Sequence, residues 1–223
     1  MSVPAAVAAP QLSPVLLRRP ALVSATLAPL IFIGGTITAE LLSPQFNPVV
    51  QTISELAAGD APTQRFMTVV FMLTALCHAV TASFASGIGW PGRAVIGIAA
   101  VASFGVALFP LPTMAGTSVP HRIAAMIGFI ALAAWPLFGM RIRRQYPWIV
   151  RPLGAIVGSA VMTVFCLWFL AVWSRPELGY VGVVERLAAY TESLWPAVVV
   201  WSLFIAQRRA RITAPLSEAA PAS

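Results

Sequence analysis

Apolar residues come in six long runs separated by short polar punctuation: Pro20 to Leu42, Thr63 to Ile88, Arg93 to Leu111, His121 to Met140, Pro152 to Trp173 and about Ala188 to Gln207. Each run has about the 20 residues that an α-helix needs to cross a hydrocarbon core roughly 30 Å thick. The pattern predicts an all-α protein, a polytopic membrane helix bundle with six transmembrane helices. A seventh, shorter element is expected between the first two runs. Asn47-Pro48 supplies an N-cap and an N1 proline, and Gly59 a C-terminal stop, which brackets a helix at about 48-58. Val49, Val50, Ile53, Leu56 and Ala57 cover one arc of its wheel and Gln51, Thr52, Ser54, Glu55 and Ala58 the other, so it is expected to lie flat at the interface. Two readings stay open: Glu55 in water with the helix in the headgroup region, or the polar arc closing over the bundle with Glu55 turned inward.

Composition excludes a soluble domain. Only 9% of residues are charged and mean hydropathy is +0.85, whereas roughly a quarter of the residues of a soluble chain are charged. The net charge of +7 comes entirely from arginine, yet no polar domain exists to present a basic stripe, so nucleic acid is not an expected partner. Ten of the fourteen arginines (Arg18, Arg19, Arg93, Arg141, Arg143, Arg144, Arg151, Arg208, Arg209 and Arg211) fall at one set of span ends, and six of the seven acids at the other. By the positive-inside rule the arginine-rich end and both termini are cytoplasmic, in the plasma (inner) membrane. Residues 1–19, rich in Ala, Pro and Ser, read as a disordered cytoplasmic tail, 20–207 as the membrane domain and 208–223 as a second cytoplasmic tail. The first run is too long for a signal-peptide core and reads as an uncleaved anchor.

The acid-bearing end is the better place to look for chemistry. Glu185 and Glu192 share one face of the last helix, while adjacent Glu185 and Arg186 point about 100° apart, so each needs a partner from another segment. Arg122, Arg65 and His121 are available to the acids, and Glu40, Glu55 or Asp60 to Arg186. Such a cluster is either a set of ion pairs locking the bundle end or a polar pocket. His121 opens the fourth run beside Arg122. His78 lies about 20 Å deeper in the second, too far for the two to share a metal or haem, and reads as a neutral core histidine or, less simply, a proton relay with no deep acid beside it. Cys77 and Cys166 read as packing residues. No nucleotide loop, nucleophile elbow or metalloprotease motif occurs, so no cofactor or resident metal is expected. Gly34, Gly35, Gly97, Gly105, Gly128 and the Gly154/Gly158 pair suggest close helix approach, within the bundle or against another copy or another membrane protein.

Thr52-Ile53-Ser54-Glu55-Leu56 with Gly59, then Phe109-Pro110 before His121, then Glu185-Arg186 before the last run, resemble the DUF998 family of six-span bacterial and archaeal membrane proteins. The resemblance covers about Pro20 to Gln207. It implies the six-span fold, brings no assigned function, and singles out Ser54, Glu55, His121, Glu185 and Arg186. Glu40, Asp60 and Arg122 complete the candidate ligand-binding set. The resulting expectation is a protein that binds or handles a membrane lipid or small amphiphile in an outward-facing polar pocket, with Arg186 or Arg122 clamping an anionic group. A membrane-embedded hydrolase or transferase at the same end, with Glu55 or Glu185 as base and His121 as acid or metal ligand, is the first alternative. A transporter and an assembly subunit with purely structural charges are the others.

Overall fold

The computed structural model describes the backbone of residues 17–218 and the side chains of residues 17–212. Most of the tail expected over 1–19, and residues 219–223, lie outside the described part. Six helices answer the six runs: α1 Arg19–Leu41, α2 Gln64–Phe84, α3 Trp90–Leu108, α4 Val119–Gly139, α5 Pro152–Trp173 and α6 Val181–Glu218. All six are long and apolar enough to cross a membrane, and no strand occurs among the described residues. The chain is an all-α, multi-pass membrane protein.

Each helix packs against its neighbours in the chain, and α6 returns to α1, so the six close into a ring. Large apolar side chains such as Val101, Ile130, Leu153 and Val164 face outward and exposed, as suits a protein whose solvent is acyl chain. Small residues line the helix contacts instead: Ala21, Ala25, Ala28, Ala75, Ala99 and Ala188 are almost wholly buried. This is the membrane solution to close packing, where dispersion contact replaces the hydrophobic effect between helices. A Cβ on Gly92 would run into the backbone of Gly139, and one on Gly158 into the Trp195 ring, so those glycines set helix separations. Gly34 and Gly97, expected at such contacts, face open space.

At the arginine-rich end, one guanidinium group holds carbonyls that the C-terminus of α2 leaves without helical partners and a second holds those of the loop that follows. Arg93 donates to the Ala82 and Ser83 carbonyls, both at 2.6 Å. Arg141 donates to those of Gly87, Ser86 and Ile88.

The opposite end is built from the α1–α2 loop, and here the expected interfacial helix is corrected. In place of one amphipathic helix over 48-58, the chain makes a turn after Asn47 and then a five-residue 3-10 helix, Ile53–Ala57. The break falls at Thr52 because Glu55 reaches back to the Thr52 N–H and hydroxyl, while the Ile53 N–H is drawn to a carboxyl of α6. The segment does not lie flat. Ile53, Leu56 and Ala57 are buried against Ala39, Met67, Val70, Phe71 and Ala107, so it plugs the ring. A second difference concerns α6, which starts at Val181 and continues to Glu218 as one helix. Gly179, at φ +71°, turns the chain into it. The first free N–H groups of α6, on Gly182 and Val183, donate to the Val49 carbonyl at 2.9 and 3.3 Å. The earlier start carries Glu185 into the second turn of the helix and Glu192 about 16 Å along it at about 1.5 Å per residue.

Candidate functional site

The eight sequence-derived candidates separate into three groups by what they touch. Arg186, Glu40 and Glu55 form the rim. The Arg186 Nε donates to Glu40 Oε1 at 2.8 Å, its Nη2 lies 2.8 Å from the same oxygen, and its Nη1 donates to the Gln51 and Gly182 carbonyls. The guanidinium carbon also lies 5.6 Å from the Phe46 ring centroid. Glu55 is engaged within its own loop by Thr52 and by the Gln51 amide at 2.9 Å. The planar fork of Arg186 thus ties α6 to α1 and to the plug, which is the ion-pair lock foreseen for this end.

Asp60 and Arg122 lie apart from that rim. Asp60 accepts the Met114 N–H at 2.7 Å and so clips the α3–α4 loop to the α1–α2 loop. Arg122 is exposed; its backbone N–H donates to the Ser118 carbonyl at 3.0 Å, and its side chain makes no hydrogen bond among the described residues.

Ser54, His121 and Glu185 form the third group, at the inner surface of the plug. His121, only 3% exposed, lies with Nδ1 2.9 Å from the Phe109 carbonyl oxygen and Nε2 2.9 Å from Ser54 Oγ. Both ring nitrogens being engaged, the imidazole has no lone pair free for a metal. Among the described residues no three His, Cys, Asp or Glu side chains converge on a common point. Glu185 is buried and takes the Ile53 N–H on Oε2. The arginines proposed for Glu185 are elsewhere, because α6 starts early enough to bring the carboxyl under the plug backbone instead.

Ser54 and Glu185 also line a central cavity of about 110 Å³ that descends from the plug into the ring. Its apolar wall includes Phe32, Phe71 and Phe129; its polar groups are Ser54, Thr74, His78, Ser103, Glu185, Glu192 and Ser193. No arginine lines it. Thr74 and Ser103 spend their hydroxyl protons on helix carbonyls one turn back, Val70 and Ala99. His78 Nδ1 and Ser193 Oγ are buried without any hydrogen-bond partner, an arrangement that is costly unless something occupies the space. Glu192, 1% exposed, accepts the Cys166 thiol at 3.0 Å on Oε1, so Cys166 is a hydrogen-bond donor as well as a packing residue.

Sequence reasoning takes His78 as a core histidine or proton relay and Glu192 as an acid seeking an ion-pair partner, and puts neither in the ligand-binding set. Beginning the sixth run at Ala188 sets Glu192 at a span end, with the rim. His78 lacked an acid at its depth for the same reason, yet the two line one cavity. The legible signal was the adjacent pair Glu192-Ser193 inside an apolar helix, where an ionisable residue marks a site by default.

No curated protein and no solved structure matches the chain. A family model does match, over residues 26–202, which takes in the plug, the cavity and the greater part of all six helices. The chain belongs to DUF998, a family described as a protein of unknown function.

Proposed function

We propose that the protein binds or handles a lipid or small amphiphile whose polar head enters the central cavity. The observation that carries the reading is the lining itself: two buried carboxyls, an unpartnered imidazole nitrogen and an unpartnered hydroxyl, beside three phenylalanines and without any arginine. An anionic headgroup has no cation there to meet it. A head bearing an ammonium, or several N–H or O–H donors, meets carboxyl oxygens and aromatic faces together. At about 110 Å³ the space is smaller than the roughly 150 Å³ cavity that admits benzene, which favours a compact head over a whole drug-sized ligand.

The test is mass spectrometry of lipids that co-purify in native-lipid nanodiscs. A discrete amine-bearing species is expected with the unsubstituted chain and not with Glu192→Gln of equal thermal stability. Identical bulk profiles would remove the reading and leave the polar lining as packing. A second reading, carriage of that ligand across the membrane, is favoured by the depth of His78, only about 9 Å of helix from the far end of α2; flux of a labelled amine into proteoliposomes tests it.

The ten-arginine end supports a cytoplasmic placement of both termini in the plasma (inner) membrane. An impermeant maleimide added to intact cells should label Gly116→Cys and spare Gln145→Cys; the reverse pattern would invert the topology.

A further inference from the structure

Ser54 and His121 are placed as a nucleophile and its base. A carbonyl oxygen only accepts, so the nitrogen facing the Phe109 carbonyl, Nδ1, carries the ring proton. In the neutral imidazole Nε2 is then a lone pair, and at 2.9 Å the Ser54 hydroxyl donates to it. The base is thus oriented by a third group on its far nitrogen, the relation that activates a serine hydroxyl. Surrounding contacts hold the arrangement rigid: Glu185 fixes the Ile53 N–H, and Thr63 Oγ1 donates to the Leu56 carbonyl at 2.9 Å. Ser54 lines the cavity while His121 is buried behind it, so a ligand in the cavity meets the serine oxygen first, with Nε2 2.9 Å behind it.

We infer that Ser54 is a nucleophile toward an acyl ester lodged in the central cavity, with His121 as general base; the inference rests on the cavity being a ligand site. Glu192 lies seven residues below Glu185 on α6, about 10 Å along the axis, and Glu185 touches the backbone next to Ser54. The substrate class is therefore a compact ester whose donor or ammonium head points down the cavity toward Glu192, within a space of about 110 Å³. As Ser54 Oγ bonds to the acyl carbon, its proton passes to His121 Nε2. The bond from that carbon to the leaving oxygen breaks, and the leaving oxygen takes the proton from Nε2. Water, giving its proton to Nε2, then attacks the acyl-serine; the acid leaves and Ser54 recovers the proton.

The full chain in nanodiscs, treated with a fluorophosphonate probe and analysed by peptide mass spectrometry, should carry the adduct on Ser54. Ser54→Ala should lose it. His121→Gln, whose amide can still donate to the Phe109 carbonyl and so keep the fold, should be labelled about 100-fold more slowly. In a separate variant, Ser54→Cys, iodoacetamide should alkylate position 54 faster than Cys166 of the same chain, which reports activation without relying on His121 substitution. Absence of an adduct on Ser54 in the folded chain, labelling of His121→Gln at the unsubstituted rate, or slower alkylation at position 54 than at Cys166 would each overturn the inference. Lipid retention that still depends on Glu192 in those cases would leave the binding reading intact. Loss of that dependence with Ser54 labelling preserved would remove the binding reading alone.

Discussion

The rim and the cavity of this bundle contain the same kinds of residue and treat them in opposite ways. At the rim the charged groups are met by protein: Arg186 has a carboxylate, two carbonyls and an aromatic face, its Nη2 meeting Glu40 as an ion pair without a hydrogen bond, and Glu55 has three donors from its own loop. In the cavity, about two turns below at Ser193 and about four at His78, Ser193 Oγ and His78 Nδ1 have no partner, and Glu192 has a thiol on one oxygen. A polar group at a helix end needs only to be satisfied, by protein or by water. A polar group buried in the ring without a partner lowers stability by about 1–3 kcal/mol, and its persistence points to an occupant. Charge alone is thus a poor guide to a site in this chain; unpartnered groups that converge on one cavity, unlike the separate ones at Trp135, Ser159 and Trp195, are a better one.

The contrast predicts that rim and cavity substitutions separate stability from ligand retention. The largest effect belongs to the rim. Arg186→Ala strands Glu40 and two carbonyls, and should lower unfolding free energy by about 3–5 kcal/mol, measured by denaturation in detergent; Arg186→Lys should recover only part, because an ammonium cannot reproduce the fork. Glu192→Gln comes next. It should leave the unfolding midpoint near that of the unsubstituted chain but weaken ligand retention about 10- to 100-fold, the scale of one charge-assisted hydrogen bond, checked by titrated displacement of bound lipid. Equal damage to folding and retention by both substitutions would erase the distinction.

Smaller effects sharpen it. Gly97→Ala, at a helical position where a Cβ meets open space, should raise stability by about 0.5–1 kcal/mol through lower backbone entropy in the unfolded chain. Arg122→Ala, at an exposed residue outside both rim and cavity, should change stability by less than about 0.5 kcal/mol and leave lipid retention intact. A retention defect there would restore a clamp role for that arginine.

The span count, the loop-rich acid end and an acid partner for Arg186, left open among Glu40, Glu55 and Asp60, were legible because hydropathy and charge complementarity report them directly. The plug was legible only as a helix near the right place. Its shortening to Ile53–Ala57 follows from Glu185, 132 residues away, taking the Ile53 N–H, a tertiary contact that no local propensity encodes. The same limit hid the cavity. His78 and Glu192 are 114 residues apart in the chain, and only closure of the ring brings them to one space. Ser54 and His121 were each singled out, but their pairing depends on the plug entering the bundle, which the wheel of an interfacial helix argued against.

Recognition of a cation-headed amphiphile by Glu192 in the cavity is read by ligand-dependent thermal unfolding in nanodiscs, with hexylammonium and hexyl sulfate compared at equal concentration. Hexylammonium should raise the midpoint of the unsubstituted chain in a concentration-dependent way, hexyl sulfate should not, and Glu192→Gln should abolish the difference. A midpoint raised equally by both, or a hexylammonium effect undiminished in Glu192→Gln, would contradict it.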